Sequence, residues 1–167
     1  MSRRTVLRAA QSKHPHDFLE DLCLSNEWAY ERSTDQKMAI EVDGFPCQLN
    51  LVSYWDEKAG YLDLMGLFDI PVPDRRRKEV FEVLAALTLD TRIGHFSLCP
   101  SQESPFFRHA FLAYPKAAIT FHQIADALEE MLSGGEKLCQ AMYFLLEENK
   151  TSQEAVFASL IDVMGEA

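Results

Sequence analysis

The sequence predicts an α+β fold: an antiparallel sheet made of a four-strand meander, a helix and a further hairpin, flanked by helices. Three observations predict it. From Tyr30 to Leu112, short apolar runs alternate with polar residues at the two-residue period of half-buried strands. Inside that stretch one segment, Asp74 to Thr88, switches to the helical period, with Val80, Val83, Leu84 and Leu87 on one face. The last third, from Thr120 onward, is helical in pattern throughout.

A first helix is predicted over His16 to Leu24, where Phe18, Leu19, Leu22 and Cys23 form a stripe opposite Asp17, Glu20 and Asp21. Strands follow at Trp28–Arg32 and Lys37–Val42, joined by Ser33-Thr34-Asp35-Gln36. In the second, Met38, Ile40 and Val42 alternate with Lys37, Ala39 and Glu41. Asp43-Gly44 signals a tight hairpin turn with both central residues at positive φ. Cys47 to Trp55 and Tyr61 to Phe68 are the third and fourth strands, with Pro46, which has no N–H for a ladder, marking a strand start. The prolines of Ile70-Pro71-Val72-Pro73 end the meander, and Asp74 is expected to cap the helix behind it. Gly94–Leu98 and Phe106–Ala113 read as a hairpin around Cys99 to Pro105.

Thr120 and Gln123 have the spacing of a capping box, with Ile119 and Ile124 as a hydrophobic staple. Phe121, Ile124, Leu128, Met131 and Leu132 then define an apolar face. Gly134-Gly135 is expected either to end this helix or to bend it before Glu136 to Glu148. Thr151 and Glu154 form a second capping box, opening a short helix that ends near Gly165.

Length and composition narrow the function classes. With 167 residues, 47% hydrophobic and 11% aromatic, the chain suits one domain, residues 15–167, preceded by a flexible basic tail over 1–14. A net charge of −10 argues against nucleic acid and anionic membrane as partners. No apolar run approaches the roughly 20 residues that span a bilayer. The broken apolar stretch from Met1 to Gln11 is not a secretory signal, so the expected compartment is the cytoplasm. Charge is also lopsided: Gln123 to Ala167 holds nine acidic and two basic residues, while the first thirteen carry Arg3, Arg4, Arg8 and Lys13 and no acid. Cys23, Cys47, Cys99 and Cys139 are widely spaced among apolar neighbours and read as buried free thiols rather than disulfides or a zinc site.

Several motifs in order carry a resemblance. Asn26-Glu27-Trp28-Ala29-Tyr30-Glu31-Arg32, Phe68-Asp69-Ile70-Pro71-Val72-Pro73, Arg75-Arg76-Arg77, Gly94-His95-Phe96 and Phe107-Arg108-His109 together resemble the YbjN family. These are bacterial proteins described as sensory transduction regulators, and the match runs from about residue 15 to the C-terminus. The family is similar in fold to type III secretion chaperones and commonly dimeric. The resemblance therefore implies a regulatory or chaperone-like protein-binding role, with no catalytic residues to carry over. Gly134-Gly135 departs from the family, which tends to continue a helix there.

No catalytic, cofactor or metal constellation emerges from the residues themselves. His95 and His109 face one another if the hairpin centres on Gln102, and a small hydrolase or ligand-binding enzyme using them is the alternative function. Two imidazoles without a third ligand make no zinc site. His95 and Cys99, four residues apart on a strand, lie about 13 Å apart, too far to pair. His14-Pro15-His16 sits near the expected flexible terminus. The better candidate is the sheet's second face. Gln48, Asn50, Val52 and Tyr54 share it with Tyr61, Asp63, Met65 and Leu67, and Val52, Tyr54, Tyr61, Met65 and Leu67 are large and apolar or aromatic where a solvated face is normally polar. This face is expected either to bind a second copy or a protein client, or to lie under the chain's own helices. Arg75, Arg76, Arg77 and Lys78 form a solvated basic turn or a patch for an acidic partner, with Arg75–Glu79 and Lys78–Glu82 as helical pairs. The reading is a non-enzymatic, homodimeric, protein-binding regulator.

Overall fold

Among the described residues six strands pair in a single antiparallel sheet, in the order β1-β2-β3-β4-β6-β5. The computed structural model describes residues 13–101, 103–113 and 118–162; the segment bearing Arg3, Arg4 and Arg8 lies outside the described residues, as does Gly165. The elements are α1 (Pro15–Asn26), β1 (Ala29–Thr34), β2 (Lys37–Val42), β3 (Leu49–Asp56), β4 (Tyr61–Phe68), α2 (Arg77–Asp90), β5 (His95–Leu98), β6 (Pro105–Leu112), α3 (Phe121–Leu146) and α4 (Ser152–Asp162). This is the predicted α+β fold.

Alternation decides the layering. β2 buries Met38, Ile40 and Val42 and exposes Lys37, Ala39 and Glu41. β3 buries Leu49, Leu51 and Ser53, and β4 buries Leu62, Leu64, Gly66 and Phe68 on the same side. After β4 the chain crosses by α2 to the far edge, lays down β5, and returns as β6 between β5 and β4. Phe96, Leu98, Phe107 and Phe111 thereby join the inner face.

α3 closes the core over that face. It buries Ile124, Leu128, Met131, Leu138, Met142 and Leu145 at helical spacing, each worth about 1.5–3 kcal/mol relative to exposure. Gly134-Gly135 does not end it; the helix continues for 26 residues. The reason is close packing. A Cβ at Gly134 would lie 2.8 Å from the Phe96 ring, and one at Gly135 would lie 2.4 Å from the Phe68 ring. The two glycines let the helix lie directly on the aromatic layer, and its other tertiary contacts offset their poor helix propensity.

Both capping boxes form. Thr120 N donates to Gln123 Oε1 at 2.9 Å and Gln123 N to Thr120 Oγ1 at 3.3 Å; Thr151 and Glu154 repeat the arrangement at 3.0 and 3.3 Å.

Four local expectations are corrected. Asp43-Gly44 does not make a two-residue turn, because Val42 pairs with Leu49 and six residues connect β2 to β3; Gly44 alone takes positive φ, +77°. The connection is longer because Phe45 packs on Phe68, 5.9 Å between ring centroids, so the chain docks on the core before it re-enters the sheet. Asp74 starts a 3₁₀ turn, Asp74–Arg76, that precedes α2, and it makes no side-chain cap. The pairs Arg75–Glu79 and Lys78–Glu82 are replaced by Arg76–Glu79 and by Ser152 Oγ donating to Glu82 Oε2 at 2.6 Å. Finally, Leu98 pairs with Pro105, so β6 begins one residue earlier than predicted.

Candidate functional site

The sheet's outer face is built in rows by its register. One row runs Glu31–Ala39–Val52–Met65–Arg108–His95, and the next Ala29–Glu41–Asn50–Leu67–Phe106–Ser97. A third holds Lys37, Tyr54, Asp63 and Ala110, and Tyr61 pairs with Leu112 beyond it. Because side chains alternate, all of these point away from the buried inner face.

The five predicted interface residues therefore do share one face. Val52 and Met65 are direct partners, Leu67 lies one row over, and the rings of Tyr54 and Tyr61 sit 6.1 Å apart. Val52 is 43% exposed, and Tyr54, Tyr61, Met65 and Leu67 are half-buried. No outer-face residue in these rows is buried, so none of the described helices seals them. Sequence reasoning missed Phe106 and Leu112, which extend the apolar surface across β6, with Leu112 67% exposed. The signal was present: Phe107 and Phe111 alternate with Phe106, Ala110 and Leu112.

Polar groups frame this surface. Arg108 grips Asp63 with both ends of its guanidinium, Nε to Oδ1 at 2.9 Å and a terminal nitrogen to Oδ2 at 2.8 Å, a bidentate geometry stronger than a single contact. At the β1–β3 end, the small side chains of Ala29 and Ala39 leave a shallow depression of about 330 Å³, bordered by Glu31, Glu41, Asn50 and Val52.

The histidine pair does not assemble. His95 is opposite Arg108 on the outer face, whereas His109, beside Phe107 and Phe111, lies on the inner one. The expected apposition fails because the hairpin register is one residue off, and a one-residue slip moves a side chain to the other face. Burial holds the His109 imidazole below its ordinary range, against the opposing pull of Asp63, and its ring stands edge-on to Phe111 at 4.5 Å.

The basic turn is split. Arg76 turns inward, pairing with Glu79 and donating to Asn149 Oδ1 at 3.2 Å and the Lys150 carbonyl at 3.1 Å, which ties it to the α3–α4 link. Arg77 lies over the Phe81 ring and within 3.9 Å of Glu103. Arg75 and Lys78 are exposed.

A polar cluster at the start of α1 is the other feature that sequence reasoning missed. His14 is the helix N-cap, its Nδ1 accepting from His16 N at 3.2 Å, and Pro15 occupies the first turn. Pro at the start of a helix followed by Asp17 was the available signal. Arg32 joins Asp17 at 2.9 Å, Glu20 at 3.3 Å and Asp35 at 3.4 Å, binding α1 to β1. His16 is fully buried, hydrogen-bonded through Nε2 to Ser53 Oγ at 3.0 Å. Among the described residues no three His, Cys, Asp or Glu side chains are gathered as a metal ion requires, and no helix is long and apolar enough to cross a membrane. Of the cysteines only Cys23 is buried; Cys47, Cys99 and Cys139 are half-buried, and none of the four is in a disulfide.

A single antiparallel sheet with helices packed on its buried face defines the class: a small α+β domain. The chain belongs to the YbjN family, whose model, described as "Putative bacterial sensory transduction regulator", matches residues 15–144. The match stops before α4 rather than at the C-terminus. Among solved structures, the chain is similar to YbjN of E. coli, described as "a putative transcription regulator", with a TM-score of 0.52 and 8% identity over 80% of this chain and 93% of that one. At that identity the likeness speaks to the fold. No individually curated protein matches the sequence.

Proposed function

We propose that this protein is a non-enzymatic, cytoplasmic regulator that works in a chaperone-like way, by binding another protein, and that it self-associates as a homodimer. The observation that carries the reading is the outer sheet face, where Val52, Tyr54, Tyr61, Met65 and Leu67 stand together without cover from any described helix. Burying 400 Å² of such surface would yield about 10 kcal/mol at 25 cal/mol per Å², comparable with the roughly 4–15 kcal/mol cost of association. That balance suits a reversible contact. Membership of a regulator family supports action through a partner.

A direct action on nucleic acid is the less favoured route. The chain carries −10, and two of the four basic residues at 75–78 are engaged within the fold. Any effect on transcription, the role named for the E. coli neighbour, would then run through a protein.

Replacing Met65 with Lys and measuring mass in solution tests the reading. The wild type is expected as a dimer at micromolar concentration and the variant as a folded monomer; a monomeric wild type overturns the dimer. Co-purification from the native cell, with partners identified by mass spectrometry, tests client binding: proteins retained by wild type and lost with Met65→Lys support it, and an identical set in both removes this face as the binding surface.

A further inference from the structure

Cys47 lies in the β2–β3 connection and Cys139 on α3, 92 residues away in sequence, yet their sulfurs are 3.3 Å apart, with the Cys139 thiol donating to Cys47 Sγ. The approach is set by the packing around it. Phe45, two residues before Cys47, rests against Phe68, and it also fills the space beside Gly135, one helical turn before Cys139. The connection is therefore seated on α3 by aromatic contacts that do not depend on the sulfurs. Both thiols are half-buried, within reach of a small oxidant, whereas Cys23 is sealed in the core.

We propose that Cys47 and Cys139 form a reversible disulfide that ties the β2–β3 connection to α3 in response to a peroxide. Cys47 supplies the nucleophile. The hydrogen bond from Cys139 holds its thiol below the ordinary cysteine range, outweighing burial and the nearby Asp69 carboxylate, while the same bond, burial and Glu136 keep the proton on Cys139. The Cys47 thiolate attacks one peroxide oxygen, the O–O bond breaks, and the departing hydroxide takes up the proton Cys47 released, leaving water and a Cys47 sulfenic acid. Cys139 sulfur then attacks that sulfenic sulfur. The S–O bond breaks, an S–S bond of about 2.05 Å forms, and the hydroxyl leaves as a second water with the Cys139 proton. Two thiols have lost two electrons and the peroxide has gained them.

The experiment treats the reduced full-length protein with stoichiometric hydrogen peroxide. The expected product is about 2 Da lighter, has two of its four thiols left to alkylate, gives a Cys47–Cys139 linked peptide on digestion, and regains its mass with dithiothreitol. Cys139→Ser should instead gain about 16 Da at Cys47 and react there with dimedone, because the sulfenic acid has no thiol to resolve it. Circular dichroism of the reduced variant checks that it is folded. Oxidation of Cys47 to sulfinic acid in the wild type while Cys139 stays alkylatable would overturn the proposal, as would linkage through Cys99 or a dimedone adduct on Cys139.

Discussion

His16 is the one fully buried imidazole among the described residues, and its two nitrogens fare differently. Nε2 is bonded to Ser53, but Nδ1 has no hydrogen-bond partner. Protonation would place a charge there with little solvation, close to His14 and Arg32, and the pKa is lowered from 6.5 to about 4, burial being the largest cause. The sign follows from linkage. The unfolded chain binds the proton near pH 6.5 and the folded one only near 4, so stability is complete above 6.5 and falls as the pH drops through that window. Between pH 7 and 4.5 the loss is about 2–3 kcal/mol. Asp17 acts lower, since the hydrogen bond from Arg32 holds its carboxyl below the ordinary value of 3.8. Urea unfolding of wild type and His16→Gln at pH 7, 5.5 and 4.5 checks this: the gap between the two should narrow by that amount, and a constant gap would refute it. Pro15 and Asp17 announced the helix start, but nothing local announced the burial of His16. It was expected near a flexible end because its burial depends on Ser53, 37 residues away.

At the scale of elements, α3 pits propensity against packing. Gly135→Ala should gain about 1 kcal/mol as a better helix former, yet the new Cβ would sit 2.4 Å from the Phe68 ring and 3.0 Å from Phe45. Phe68 is fully buried and cannot swing away, so overpacking of about 1–3 kcal/mol should win and the variant should be destabilised. Ser133→Ala, exposed on the same helix, isolates the propensity effect and should be neutral or slightly stabilising. Thermal unfolding of both decides it, and a stabilised Gly135→Ala would show that the helix can lift off the sheet. This competition also explains what could be read beforehand. Met38, Ile40 and Val42, or Leu49, Leu51 and Ser53, declare a strand by alternation alone, and Thr120 with Gln123 declares a helix start within four residues. The Phe45 anchor and the unbroken Gly134-Gly135 depend on partners distant in sequence, so local pattern pointed elsewhere. Val52, Tyr54, Tyr61, Met65 and Leu67 were legible as one face because their strands are consecutive, whereas Phe106 and Leu112 join it only through the crossover after β4.

Across the whole molecule, charge indicates which surface two copies can bring together. The net −10 is concentrated toward the helical layer, where α3 and α4 and the link between them carry Glu129, Glu130, Glu136, Glu147, Glu148 and Glu154 against Lys137 and Lys150. The outer sheet face sets Glu31, Glu41 and Asp63 against Lys37 and Arg108, with an apolar centre between them. Helical layers would repel one another, and outer faces would not. Self-association through the sheet couples stability to concentration by mass action, so a hundredfold rise in protein should add about 2.7 kcal/mol per dimer, or about 1.4 kcal/mol per chain, and lift Tm by about 3–6 °C, at roughly 2–4 °C per kcal/mol for a chain of this size. Met65→Lys should abolish that slope and melt below the wild type at every concentration while staying folded, because position 65 lies on the outer face and the lysine ammonium can reach solvent. Scanning calorimetry from 2 to 200 μM (about a hundredfold span) reads both quantities. A wild-type Tm independent of concentration would remove the dimer. A variant whose Tm still climbs would place the contact on another surface, with the groove between α2 and α4, where Phe157 is 66% exposed, the next to mutate.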